Sequence, residues 1–396
     1  MQGNQLHYCE GLVQVRTGSG FFRPDSRPSR DFGVLLVRVL ARAGPVRVLD
    51  GLAGCGIRAL RCAVEGGATD VWANDADPDR LPLLHANFAA APPAVTCRLG
   101  AETLQRLLAG CLDRRERFEW VDLDAFGSPS ALLPLALEAV AFGGMLYLAS
   151  TDGRSPTGHD RPAAVRRLGA AARAHPASWE LALRLQIGCL ARAAWALGRG
   201  LEPVLSFSEG RTFRTVVRVR RQPAPGEERL LGMLAHCHGC GDQQEQSLLR
   251  LGRWAPCACG GEAPPLAVSG PLWLGPLQEP ASLAAMLEEA ENSPLTLASA
   301  GRGLLERLLA DPGEPARCWP TALIGRHLRQ GPPSLERLVA QLRAGGWRAG
   351  ASGVMAGQLR SDAPWPLIVA TAKAGGGFDP ARQGPVPARP PRVHGL

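Results

Sequence analysis

Two short segments of this chain carry residue types at spacings that could do chemistry. Asp122-Leu-Asp124-Ala-Phe126-Gly-Ser-Pro129 sets a carboxylate and an aromatic ring two residues apart, directly after a short apolar run. An exocyclic amine on a nucleobase is a poor nucleophile because its lone pair is delocalised into the ring. A carboxylate that accepts its hydrogen bonds and takes its proton during attack answers that difficulty, and a stacked aromatic ring fixes the line of attack. Asp124 and Phe126 supply those two groups. A strand-end turn capped by Asp and stopped by Pro, with Phe126 in the core, accounts for the segment equally well, and Asp122 reads as structural. The second segment is Asp50-Gly-Leu-Ala-Gly54-Cys-Gly56-Ile-Arg-Ala59, with Asp75 beyond it. Its glycines allow a tight turn whose amides approach a ligand, and Asp75 can accept both hydroxyls of a ribose. With Ala59 as the third small residue the pattern also fits a dinucleotide site, and a turn that only packs strand to helix is the simpler alternative. Asp50 favours S-adenosylmethionine: a carboxylate at that strand tip suits an ammonium group and repels a pyrophosphate.

A third cluster concerns metal. Of eleven cysteines, Cys237, Cys240, Cys257 and Cys259 fall within 23 residues, in Cys-His-Gly-Cys and Cys-Ala-Cys pairs. Four soft ligands from two short turns suit a tetrahedral structural zinc. The second pair is C-x-C, so its turn differs from the first, and His236 or His238 could replace a thiolate; reduced thiols in a loop are the plainer reading. Cys9, Cys55, Cys62, Cys97, Cys111, Cys189 and Cys318 lie in apolar surroundings and read as small buried thiols.

The elements that must position these residues follow from the hydrophobic pattern. Short apolar runs at 46–49, 70–73, 95–98, 118–121, 145–149, 204–207 and 213–220 alternate with helical stretches. That order builds an α/β fold with a mostly parallel sheet covered on both faces. The last two runs lack a crossover helix and predict an antiparallel edge hairpin, the layout of a class I (Rossmann-like) methyltransferase. The division expected is a methyltransferase domain over 1–222, a smaller α+β C-terminal domain over 223–372 with a zinc ribbon at 237–259 and a winged-helix-like unit at 319–372, and a Gly/Pro-rich tail at 373–396. Residues 222–228 form the linker, and 334–344 an amphipathic helix with Ser334 as N-cap and Gly345 as stop. The 396-residue length suits two or three domains, and 45% hydrophobic with 20% charged residues excludes wholesale disorder. The apolar stretch 131–150 is broken by Glu138, Gly143 and Gly144 and reads as a helix followed by a strand, so no membrane association is expected, and the polar start points to a cytoplasmic protein.

These segments resemble the tRNA guanine-26 N2-dimethyltransferase family along nearly the whole chain. Phe21-Phe22-Arg23-Pro24 followed by Arg30-Asp31 is similar to the family's F-Y-N-P and R-D, and the Asp124 segment to D-x-D-P-F-G-S-P. Gly270-Pro-Leu-Trp-Leu-Gly-Pro-Leu277 and Leu359-Arg-Ser-Asp-Ala-Pro364 resemble parts of its C-terminal domain, which generic methyltransferases lack. The resemblance implies transfer of two methyl groups from S-adenosylmethionine to N2 of a guanine in tRNA. It implies that Phe21 and Phe126 sandwich the guanine, that Asp124 is the catalytic carboxylate and that the Ala125 carbonyl helps bind the amine. The donor-binding set implied is Arg30 and Asp50 at the methionine end, Gly54 and Gly56 in the turn, Asp75 at the ribose, and Ala76 and Ala101. The chain departs from the family in having Ala125 for proline, Arg23 for asparagine, and Gly100-Ala-Glu102 for D-A-N, where Glu102 is either a substitute contact or a solvated acid.

Net charge is +8, made almost wholly of arginine. It suits a polyanion, although high-GC codon usage would give the same excess. The RNA surface is expected at Arg326, Arg329, Arg337, Arg343, Arg348 and Arg360, with the basic strand 214–221. An adenine amino-methyltransferase is the alternative enzyme, though such enzymes show D/N-P-P-Y/F at the catalytic loop. A catalytically weak RNA-binding homologue is the alternative from another class. No obligate protein partner is evident.

Overall fold

The computed structural model describes residues 7–257, 259, 264–293 and 296–374. The chain opens with an antiparallel hairpin of β1 (His7–Glu10) and β2 (Val13–Arg16) and then α1 (Arg27–Ala41). There follow β3 (Arg47–Asp50), α2 (Ile57–Val64), β4 (Asp70–Asn74), α3 (Leu81–Phe88), β5 (Thr96–Gly100), α4 (Leu104–Asp113) and β6 (Phe118–Ala125). Next come α5 (Leu133–Ala139), β7 (Val140–Ser150), α6 (Arg161–Leu168), α7 (Ser178–Ala196), β8 (Gly200–Glu209) and β9 (Thr212–Arg220). A single seven-stranded sheet results, in the order β5-β4-β3-β6-β7-β9-β8. The first five of these strands are parallel, and β9 is antiparallel to both its neighbours. The expected edge hairpin forms with β9 inserted between β7 and β8, as in class I methyltransferases.

Central strands covered on both faces read as continuous apolar runs, and β7 does so from Met145 to Ala149, each at most 1% exposed. One face of the sheet is covered by α1, α2 and α3 through Phe32, Leu35, Leu60 and Leu84. On the other face Leu107, Leu137 and Leu190 bring in α4, α5 and α7.

The C-terminal half consists of β10 (Leu231–His236), β11 (Gln243–Ser247), β12 (Ala267–Trp273), α8 (Pro280–Asn292), α9 (Ser299–Leu309), β13 (Cys318–Pro320), α10 (Thr321–Leu328), α11 (Leu335–Ala344), β14 (Ala349–Ala351), β15 (Gln358–Ser361) and α12 (Trp365–Lys373). It holds two three-stranded antiparallel sheets, β11-β10-β12 and β13-β15-β14, with α10 and α11 preceding β14. Ser334 caps α11 through its hydroxyl and Gly345 ends it.

The predicted cut at residue 222 follows the linker, whereas the packing crosses it. Leu283 and Met286 of α8 and Leu305 and Leu308 of α9 belong to the same apolar cluster as Phe32 and Leu60. The linker itself is pinned where Glu227 accepts from Trp195 Nε1 and the Leu201 amide. Arg360 on β15 reaches Glu180 on α7 at 2.6 and 2.7 Å and Asp311 at 2.8 and 2.9 Å, all three buried. Its pairing there removes Arg360 from the expected RNA surface. Residues 375–396 of the predicted tail lie outside the described residues. No helix among the described residues is long and apolar enough to cross a membrane.

Candidate active site

Ligands of open α/β sheets sit at the carboxyl ends of the strands, and here the ends of β3, β4 and β6 meet the N-terminus of α2. The turn between β3 and α2 uses Gly54 at φ +56° and Gly56 at φ +79°. A Cβ on Gly56 would lie 2.7 Å from Phe88 and 2.8 Å from Leu84, so only glycine fits behind the turn. Gly54 has open space where its Cβ would be, and its amide donates to Asp75 Oδ2 at 2.8 Å. Asn74, which sequence reasoning missed, ties three loops together. Its Nδ2 donates to the carbonyls of Gly51 and Glu102, and its Oδ1 accepts from the Glu102 amide. A polar residue ending an otherwise apolar strand was the only signal for it.

The turn borders a cleft of about 380 Å³ lined by Phe21, Arg30, Gly54, Arg58, Asp75, Asp124, Ala125, Phe126, Thr151 and Arg214, among others, a size suited to a small organic ligand. Seven of the predicted site residues thus share one cleft. Four do not line it. Gly56 sits behind the turn, Ala76 is exposed and Ala101 half-buried, and Asp50 is 1% exposed with neither carboxylate oxygen hydrogen-bonded. Asp50 pairs in register with Asp122 across β3 and β6. Burial, and then the charge of Asp122, push its carboxyl well above the ordinary aspartate range. A buried unpartnered carboxylate beneath a glycine turn is the feature a cationic ligand end would relieve.

Asp124 closes β6 with a different environment. Its Oδ2 is ion-paired with Arg58 Nη2 at 2.9 Å, and its Oδ1 accepts from Arg214 Nη1 at 3.4 Å. Burial raises its carboxyl, but the two guanidiniums outweigh burial and hold it below the ordinary range. Asp122, buried two residues earlier, is pushed up to about 6 by burial, against the pull of Arg58. The sheet end therefore holds one carboxylate kept ionised beside two that resist ionisation. Sequence reasoning missed Arg58 and Arg214. Arg58 stood inside the glycine motif, and Arg214 was counted with the basic strand; it is 3% exposed and bonded to Glu209, so it leaves the RNA surface as well.

Phe126 follows on a loop fixed from β7: the Gly127 amide donates to Thr151 Oγ1 at 2.7 Å, and Ser150 Oγ donates to the Gly127 carbonyl. Phe126 is 73% and Phe21 69% exposed, and their rings meet edge to face with centroids 5.1 Å apart. Such exposure contradicts a core role for Phe126. The strap carrying Phe21 is held by Arg30, which donates to Glu10 and to the carbonyls of Arg23 and Pro24. Four of its five N–H groups are used in this way, leaving one for a ligand.

Away from the cleft, Cys237, Cys240, Cys257 and Cys259 bring four thiols within 4.8 Å of one another. Burial raises the Cys237 thiol, but hydrogen bonding from the Cys240 and Gly239 amides and from neighbouring thiols brings it down to about 7, near the thiolate form a metal requires. The four thiols make a full ligand set without a histidine, and His236 instead meets His175 and His238 edge to face. Among the other seven cysteines, Cys9 is exposed, and Cys97 and Cys189 are only partly buried.

A sequence profile of the N2,N2-dimethylguanosine tRNA methyltransferase family matches residues 8–373. A tRNA (guanine(26)-N(2))-dimethyltransferase of Methanocorpusculum labreanum is 30% identical over 353 residues, covering 88% of each chain. One of Pyrococcus abyssi is 28% identical over 366 residues, covering 88% of this chain and 91% of its own. The complex of Trm1 from Pyrococcus horikoshii with S-adenosyl-L-methionine superposes with a TM-score of 0.78 at 25% identity, covering 92% of this chain and 99% of that one.

Proposed function

The chain belongs to the N2,N2-dimethylguanosine tRNA methyltransferase family, and from that premise we propose how its cleft places two methyl groups on N2 of guanine 26 in tRNA. The one observation that carries the assignment of residues is Asp124, an ionised carboxylate at a strand end, facing the cleft between Arg58 and Arg214 beside the exposed rings of Phe21 and Phe126.

S-adenosylmethionine supplies an electrophilic methyl group on a sulfonium. Asp75 accepts from the ribose hydroxyls, and the remaining N–H of Arg30 meets the methionine carboxylate. Asp50 lies buried behind the turn, where the approach of the ammonium favours its ionised form without direct contact, and Ala76 and Ala101, which do not line the cleft itself, border the adenine beyond it. Phe21 and Phe126 stack on the flipped guanine. Asp124 accepts one N2–H and the carbonyl of Ala125 the other. As the N2–carbon bond forms and the donor's carbon–sulfur bond breaks, Asp124 takes the proton that N2 releases. A carboxylate held below the ordinary range returns that proton to solvent readily, and the 27% exposure of its side chain leaves a path. N2 then still carries one hydrogen, so the second transfer uses the same groups.

The four thiols hold a structural zinc that shapes the β10-β11-β12 ribbon. Exposed Arg326, Arg329, Arg337, Arg343 and Arg348, on and around α10 and α11, supply the phosphate-facing surface for tRNA. Cytoplasmic operation is inferred from the substrate. Replacing Asp124→Ala tests the reading: transfer to tRNA is abolished while S-adenosylmethionine binds almost as before, and a parallel loss of donor binding would show the carboxylate to be misassigned.

A further inference from the structure

Arg58 stands between the donor turn and the proposed proton acceptor. It is the second residue of α2, so its backbone belongs to the element whose N-terminus carries the Gly54–Gly56 turn. Its side chain, 11% exposed, crosses to the end of β6. There Nη2 donates to Ser29 Oγ at 2.9 Å and is ion-paired with Asp124 Oδ2 at 2.9 Å, while Nη1 stands 3.5 Å from Asp122 Oδ2. The guanidinium lies against the Tyr147 ring, 5.6 Å from its centroid, which fixes its plane. Nη1 is buried and makes no hydrogen bond.

We propose that Arg58 is a positioning residue that ties the donor turn to the carboxylate receiving the N2 proton, so that the electrophile and the proton acceptor are set by one rigid element. The inference rests on Asp124 being that acceptor. A change in the turn moves the start of α2, and through Arg58 it moves Asp124 Oδ2, keeping the carboxylate in line with the methyl group. Arg58 also keeps Asp124 ionised. The groups facing Asp124 are Arg58 from α2, Arg214 from β9, Asp122 from its own strand and Asp50 from β3, with Tyr147 of β7 lying against both guanidiniums and Glu209 of β8 bound to Arg214. Without Arg58, burial and two buried acids oppose the charge on Asp124, with Arg214 left as its counter-ion. The carboxylate then protonates at higher pH, and the acid limb of kcat moves upward.

The test uses the full chain with Arg58→Gln and Arg58→Lys, and Asp124→Asn in parallel. S-adenosylmethionine binding, kcat at saturating tRNA between about pH 5 and pH 8, and melting temperature are measured. For Arg58→Gln the expected results are a kcat reduced by about 100-fold, donor binding changed by less than about 3-fold, and an acid limb moved to higher pH. Arg58→Lys keeps the charge without the fork, so it recovers at least about tenfold of the lost kcat and retains the wild-type acid limb. Unchanged kcat in Arg58→Gln overturns the proposal, as does a loss with the wild-type pH profile, or an Arg58→Lys no better than Arg58→Gln. Should Arg58→Gln fail to fold, the kcat and acid limb of Arg58→Lys decide. Activity retained by Asp124→Asn would overturn the catalytic reading itself, an outcome the Arg58 variants cannot mimic because they leave the carboxylate in place.

Discussion

The rings of Phe21 and Phe126 meet edge to face at 5.1 Å, one from the strap before α1 and the other from the loop after β6. A base stacked between two parallel rings needs about 7 Å between them, so the proposed guanine sandwich requires the pair to part and turn. Both rings are mostly exposed, and their contact shields apolar surface in the absence of substrate. Base–aromatic stacking is worth about 1–3 kcal/mol per ring on alanine substitution. Phe21→Ala and Phe126→Ala should each lower kcat/KM for tRNA by about 10- to 100-fold, with donor binding unchanged, and Phe126→Tyr should retain most activity. Steady-state kinetics with equilibrium donor binding checks this.

Glu180 is buried between Arg184 and Arg360 and joins α7 to β15. Burial alone would raise its carboxyl, but the two guanidiniums outweigh it and hold it at about 2. A depressed carboxyl stabilises the fold above its unfolded value of about 4.3 and loses that contribution as pH falls toward 2. Glu180→Gln should cost about 3–5 kcal/mol at neutral pH, because Arg360 is left with Asp311 as its one carboxylate beside the Pro315 carbonyl, and Arg184 with backbone carbonyls. Urea titrations from about pH 7 to pH 3 should show the gap between wild type and variant narrowing toward acid.

The thiols of Cys237 and Cys259 lie 3.6 Å apart with Cys257 3.5 Å from Cys237, so a single ion would draw ligands from both turns. Elemental analysis of the purified protein should find one zinc per chain. Cys240→Ser should lose it and melt earlier, with donor binding kept, since the cleft lies elsewhere.

Arg326 and Arg329 at the end of α10 and Arg337 on α11 are exposed. The double change Arg326→Glu with Arg337→Glu should raise KM for tRNA and flatten its salt dependence, at unchanged kcat. Kinetics at two ionic strengths reads both.

The mostly parallel sheet with its edge hairpin was legible because short apolar runs alternate with helical patterns, and the meeting of Asp124, Asp75 and Gly54 at one cleft because strand ends of such a sheet converge there. Arg58, Asn74 and Arg214 were not legible. Each acts through a partner distant in sequence, Arg58 on Asp124, Asn74 on Gly51 and Glu102, Arg214 on Asp124 and Glu209. An arginine in an Arg-rich chain gives no sign of whether it is solvated or buried against an acid. Arg360 shows the same point in reverse, since it read as RNA surface and is spent on Glu180 and Asp311. The packing of α8 and α9 on the first core also escaped, because linker composition marks where the chain turns and says nothing of where later helices return.

The most direct measurement is nucleoside analysis of unmodified tRNA after incubation with the purified protein and methyl-labelled S-adenosylmethionine. Label is expected in N2,N2-dimethylguanosine at position 26, with two methyl groups per tRNA at completion and none when guanine 26 is replaced by adenine. Label in methyladenosine, or no transfer to tRNA at all, would contradict the proposed function.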